Sequence, residues 1–265
     1  MRALVAFLFL AGCSRGFSPP SDAHALPIDD RRWDAEAPAE GWCGETSIQL
    51  AAGWYGAYIA QAKVNALGHP KTPDLWEHDV PVALEAMHLR FTRGPQTLVP
   101  ALRWIVDELR RDHPVVLGLK LVPTEHPEWA VDHLVLAVGF SPDGLLIDTN
   151  AEEGQITVAW AGLQRDAGDR EYTLVNHTGE VFAFAVDGFE PQPTLPVRVR
   201  IVSQDTTSAV LDVSLTGMRV GASYELLRDE TVIDRFTAKG TSRSWRMEAS
   251  PTELVRFSAR EAPAR

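Results

Sequence analysis

The sequence predicts an α+β domain, helices packed on an antiparallel sheet, followed by a small all-β sandwich. Three observations carry this. Helical spacing of apolar residues is confined to positions 43–111. Across 115–186 the apolar runs are short and bounded by turn residues, so they read as strands. Helices first and strands afterwards argue against alternating units with a parallel sheet. Past a proline-rich stretch, positions 197–265 change to apolar residues that alternate with polar ones.

Composition narrows the function. The chain has 265 residues, 45% hydrophobic and 23% charged, which is enough apolar material for a core and excludes disorder throughout. A net charge of −11 argues against coating nucleic acid, whose phosphates attract cations. Two cysteines exclude a disulfide-rich scaffold and a cysteine-based zinc site. His69, His78, His88, His113 and His126 have no HExxH spacing, so no metal and no cofactor is expected.

Residues 1–12 read as an export signal. Met1-Arg2 is a short basic start, and positions 3–11 are nine apolar residues, too few to span a bilayer. The run ends in Leu10-Ala11-Gly12-Cys13, which resembles the lipobox of bacterial lipoproteins. That resemblance implies cleavage before Cys13, lipidation of its thiol and, with Ser14 next, sorting to the outer membrane of a Gram-negative cell envelope. Residues 13–30, rich in Ser, Pro, Asp and Ala, read as a tether. Acyl chains on Cys13 would hold the protein to a membrane without a spanning helix.

Residues 31–188 read as the main domain. Ile48, Leu50, Ala51, Ala52, Tyr55 and Ile59 keep roughly helical spacing after Cys43. A second helix is expected over 80–88. A third is expected over 98–111, with Leu98, Leu102, Ile105, Val106 and Leu109 on one stripe and Pro114 as terminator. Strands are expected at 115–122, 133–140, 145–148, 156–160 and 181–186. Ser141-Pro142-Asp143-Gly144 has hairpin chemistry. Residues 189–196, with Pro191, Pro193 and Pro196, read as a linker. Residues 197–265 then offer five or six short strands, among them 197–202 and 211–215, and resemble a fibronectin III or other immunoglobulin-like module.

The chemistry gathers at three places. Gly41-Trp42-Cys43-Gly44-Glu45-Thr46-Ser47 puts a cysteine at a helix start, where open N–H groups and the helix dipole favour thiolate. Its flanking glycines leave room for substrate and for a tight turn. With Cys13 acylated, Cys43 would be the lone thiol. His133 opens an apolar strand, and Asp148 and Asn150 follow it by 15 and 17 residues, after the turn. Antiparallel pairing would return either acid or amide beside the imidazole.

Cysteine, histidine and Asp/Asn in this order resemble the papain-like cysteine peptidase superfamily, most closely the C39-like peptidases, over residues 40–160. The resemblance implies a papain-like fold for the main domain and a triad of Cys43, His133 and Asn150 or Asp148, with Asn150 at the spacing the C39-like pattern uses. It implies thiolate attack on a carbonyl with His133 carrying the proton. Residues 34–42 hold no glutamine, so backbone N–H groups, that of Cys43 among them, are expected as oxyanion donors. The expected function is an exported, lipid-anchored cysteine hydrolase cleaving peptide or amide bonds in a peptide or protein substrate. Two alternatives stand beside it: a catalytically inactive binding lipoprotein, and a transpeptidase or acyltransferase using the same Cys-His pair. Oligomeric state is left open.

Overall fold

Five helices and fourteen strands follow one another in a computed structural model that describes residues 16–34, 37–38, 41–120, 133–151, 154–164, 172–175, 179–190 and 195–263. The expected signal peptide and Cys13 lie outside the described residues, as do His126 and half of the expected linker, Pro191 and Pro193 included. In chain order the elements are β1 (His24–Ala25), α1 (Cys43–Trp54), β2 (Ala57–Ile59), α2 (Gln61–Gly68), α3 (Val80–Ala86), β3 (Leu89–Arg93) and α4 (Leu98–Arg110). There follow β4 (Val115–Leu119), β5 (His133–Phe140), β6 (Gly144–Asp148), β7 (Gln155–Ala159), α5 (Trp160–Leu163) and β8 (Ala183–Phe189). The chain closes with β9 (Val197–Gln204), β10 (Ala209–Thr216), β11 (Ser223–Arg228), β12 (Thr231–Thr237), β13 (Ser242–Ala249) and β14 (Leu254–Glu261).

The α+β expectation, with its papain-like domain and appended immunoglobulin-like module, is corrected. Strand accounts for 41% and helix for 20%, in three antiparallel sheets, so the chain is mostly β. The expected helices are present but shorter. The first stops at Trp54 because Gly56 turns the chain at φ +81. A Cβ there would lie 2.8 Å from Phe257 O and 3.2 Å from Val197 O, so only glycine passes. Residues 57–59 leave that turn as β2 instead of continuing the helix. The second helix ends at Ala86, and Leu89 begins a strand that local spacing did not reveal. β12 and β14 were also missed, although both alternate in exposure, because Arg235, Arg256 and Arg260 fill the more open face and leave no apolar run to mark them.

Seven strands make the first sheet, six in the order β3-β8-β4-β5-β6-β7 and β1 paired with β5 off that path. β5 is its spine: β4 pairs with residues 133–137 on one side, β6 with 136–140 on the other, and β1 continues the β4 side at Gly139 and Phe140. Within the segment expected as tether, then, His24–Ala25 is a strand and Leu26 and Ile28 are buried. α1 and α4 both pack on β5.

The remaining two sheets, β13-β10-β9 and β12-β11-β14-β2, enclose a second core built from Leu211, Val213, Leu215, Tyr224, Leu226 and Phe257. One strand of that pair belongs to the early chain: β2 pairs with β14, Tyr58 opposite Val255, and the Tyr58 ring is buried in this core. A fragment of residues 197–265 lacks β2 and opens the β14 edge over Phe257. It is expected to lose the β-rich circular dichroism and the dispersed amide spectrum that the same residues give in the full chain. Native-like dispersion from the fragment alone would show that β2 is dispensable.

Candidate active site

Cys43 is the first residue of α1, and Trp42 before it (φ −120, ψ 58) supplies no side-chain cap. The N–H of Gly44 faces the thiol itself, and that of Glu45 its own carboxyl. The sulfur rests on β5, accepting the Leu134 N–H at 3.4 Å. Gly44 makes that approach possible: a Cβ there would lie 2.8 Å from Leu134 Cδ1 and 3.3 Å from Leu75 Cβ. The glycine expected to admit substrate admits strand β5 and Leu75.

His133, the residue before Leu134, directs Nε2 to the carbonyl oxygen of Thr149. A carbonyl only accepts, so in the neutral imidazole the proton sits on Nε2 and the lone pair on Nδ1. The indole of Trp33 meets the imidazole edge-on, centroids 6.4 Å apart and planes at 74°. Both Trp33 and the Thr149 carbonyl escaped sequence reasoning: one lies 100 residues away in sequence and the other is backbone.

Among the described residues no hydrogen bond joins the side chain of Asn150 or Asp148 to His133. β6 ends at Asp148, and Asn150 turns into the left-handed region at φ +60, so the alternation that put 148 and 150 on one face does not hold. Asn150 is fully buried, its Nδ2 donating to Cys43 O (3.1 Å), Ser47 Oγ (3.0 Å) and Leu134 O (3.0 Å). Two of those partners are carbonyls, which fixes the amide orientation; Oδ1 is left buried without a partner. Asn150 therefore ties the helix start to β5. Asp148 accepts the N–H groups of Asn150 (2.9 Å) and Arg31 (3.3 Å), and burial pushes its carboxyl up to about 6. It fixes the turn from which Thr149 O faces the imidazole.

The electrostatics reverse another expectation. The helix start is expected to favour thiolate at Cys43. Burial instead pushes the thiol up to about 12, helped by the charges of Glu45 and Asp74, against the opposing Leu134 and Gly44 N–H groups. Cys43 is only 8% exposed, and taking a thiolate out of water outweighs the helix end.

Glu45 is a further site residue that the sequence gave no reason to single out, since an acid in a helix's first turn is ordinary. It is fully buried. Oε1 accepts from Asn65 Nδ2 (2.7 Å) and Leu75 N–H (2.9 Å), while Oε2 has no hydrogen-bond partner. Asn65 Nδ2 and Trp42 Nε1 both donate to Pro73 O, so this cluster holds residues 73–75 against the helix start. Burial pushes the Glu45 carboxyl up to about 7 from 4.5. A raised carboxyl pKa favours the folded state at low pH, and that benefit is lost as pH climbs through the folded value. Thermal stability should therefore fall between about pH 4.5 and 7. Asp148 adds to the slope between 3.8 and about 6. Glu45→Gln should flatten the decline, most visibly above pH 6, in melting curves taken across that range. An unchanged slope would mean the carboxyl is solvated.

No protein-family model matches the chain, and no curated protein matches it either.

Proposed function

We propose that this chain is an exported cysteine hydrolase of peptide or amide bonds, carrying out the chemistry that the C39-like resemblance implies. What supports the reading is one arrangement: the one thiol among the described residues, at a helix start without a side-chain cap, laid against the strand residue that follows His133, with Asn150 locking the two together. With a resting pKa near 12 the thiol starts neutral, so His133 acts as base during attack. Cys43 Sγ adds to the carbonyl carbon, the π pair moves to oxygen, and the thiol proton passes to Nδ1 of His133. The carbonyl reforms, the C–N bond breaks, and the proton leaves with the amine. Water then cleaves the thioester, returning the thiol and releasing an acid. The N–H groups of the α1 start are the natural donors to the oxyanion.

A lipid anchor at Cys13 belongs to the same proposal and rests on the Leu10-Ala11-Gly12-Cys13 sequence. Cys13→Ser should move the protein out of the membrane fraction. Cleavage of a mixed peptide pool, read by mass spectrometry, should vanish with Cys43→Ala and with His133→Ala. The second reading is a binding lipoprotein without catalysis, favoured by the buried thiol and its raised pKa. Equal cleavage patterns with wild type and Cys43→Ala would give it precedence.

A further inference from the structure

At the other end of α1, a groove of about 560 Å³ runs between the helix and the outer face of the β9-β10-β13 sheet. Ligand sites favour such seams between packed units. Arg198 on β9 lies in it with its guanidinium carbon 3.5 Å from the centroid of the Trp54 ring. The stack is half-buried, and desolvation holds the Arg198 pKa below its ordinary value. Among the described residues Arg198 makes no ion pair, and its guanidinium donates only to the neighbouring Val197 O, at 3.2 Å. Among the described residues it makes no bond to the last carbonyls of α1, of which Ala52 O and Gly53 O accept from the N–H groups of Tyr55 and Gly56. The other two cations lining the groove are spent: Arg31 pairs with Asp34 (2.6 Å), and Arg200 pairs with Asp29 (3.2 Å) and with Asp212.

Register adds hydroxyls to the guanidinium. Arg198, Ser214 and Ser244 are directly opposite one another on three adjacent strands, and all three line the groove. A planar fork laid on Trp54, in the field of Asp112 but without an ion pair among the described residues, and in register with two hydroxyls that line the same groove, is complementary to an oxyanion. The aspartates along the groove, Asp29, Asp30 and Asp212, disfavour a dianion. We infer that the groove between α1 and the β9-β10-β13 sheet is a binding site for a ligand with a single carboxylate, held by Arg198, Ser214 and Ser244. The site stands apart from Cys43 and does not depend on hydrolysis.

The test uses the full chain labelled with ¹⁵N. N-acetyl-Ala-Ala with a free carboxylate, its C-terminal amide and inorganic phosphate are titrated separately, and the Arg198 Nε–Hε cross-peak is followed. The free acid should shift that peak saturably, and the amide should not. Arg198→Gln keeps a planar group on Trp54 and should weaken binding about tenfold or more. Ser214→Ala, on the solvent-facing side of β10, should weaken it by a smaller factor. Equal shifts with acid and amide, or wild-type affinity in Arg198→Gln, would overturn the site. Tighter binding of phosphate than of the dipeptide acid would overturn the assignment to a carboxylate.

Discussion

Iodoacetamide should leave Cys43 of the folded protein almost untouched at pH 7. A thiol at about 12 holds about a thousandfold less thiolate there than one near the ordinary value of 9. Alkylation should climb about tenfold per pH unit well beyond pH 9, where a free cysteine has already levelled off. Adding denaturant at pH 8 should restore the rate of an ordinary cysteine. The same burial links the thiol to stability. An unfolded chain releases the thiol proton above about pH 9 while the folded one keeps it, so alkaline pH favours unfolding over that window. Rapid labelling near pH 6 would mean that the helix end and the imidazole outweigh burial after all.

Asn150→Ala is the substitution expected to damage the fold most. It strips a donor from Cys43 O, Ser47 Oγ and Leu134 O, all in the interior. Leaving buried acceptors unpaired costs about 1–3 kcal/mol each, partly recovered where Ser47 Oγ already donates to Cys43 O. A Cβ-bearing residue without a local polar group at φ +60 adds about 1 kcal/mol. A loss of about 3–5 kcal/mol, or roughly 10 °C in melting temperature, is expected. Asn150→Gly removes the backbone strain and should recover only the smaller part. Asn150→Asp, which aims a carboxylate at two carbonyls, should be at least as harmful as Ala. Calorimetry on the three variants separates the hydrogen bonds from the turn.

Where the sequence was read correctly, local chemistry was sufficient. Cys43 starts a helix because the turn residues before it and the apolar spacing after it agree, and β5 spans His133–Phe140 because that run is apolar between turn residues. The stripe of Leu102, Ile105 and Leu109 is buried on α4 as its spacing requires. What escaped was decided by contacts distant in sequence. Residues 57–59 look like the tail of a helix and become a strand because β14, two hundred residues later, offers an edge. The fold class went astray for the same reason: β3 does not alternate and takes its identity from β8, while β12 and β14 alternate but carry too few apolar residues to stand out without their partner β11.

The site divides along the same line. Cys43 and His133 were legible as residue types in an order, and Asn150 was legible as important, but its role was not. Period-two reasoning carried it past the end of β6, where a left-handed turn aims the amide at the helix start and leaves the Thr149 carbonyl to face His133. The thiol's charge state was misjudged because exposure cannot be read from a helix start alone. Gly44, which looks like an opening for substrate, lets Leu134 and Leu75 close over the sulfur.

Trapping an acyl-enzyme addresses the thiol directly. Wild-type protein is mixed with an activated N-acyl peptide ester, quenched in acid within the first turnover, and mapped by mass spectrometry. A hydrolase carries the acyl group as a thioester on Cys43, loses it on standing at neutral pH, and shows none in His133→Ala. A Cys43 that stays unacylated while the protein remains folded would contradict catalysis and leave this thiol a packing residue between α1 and β5.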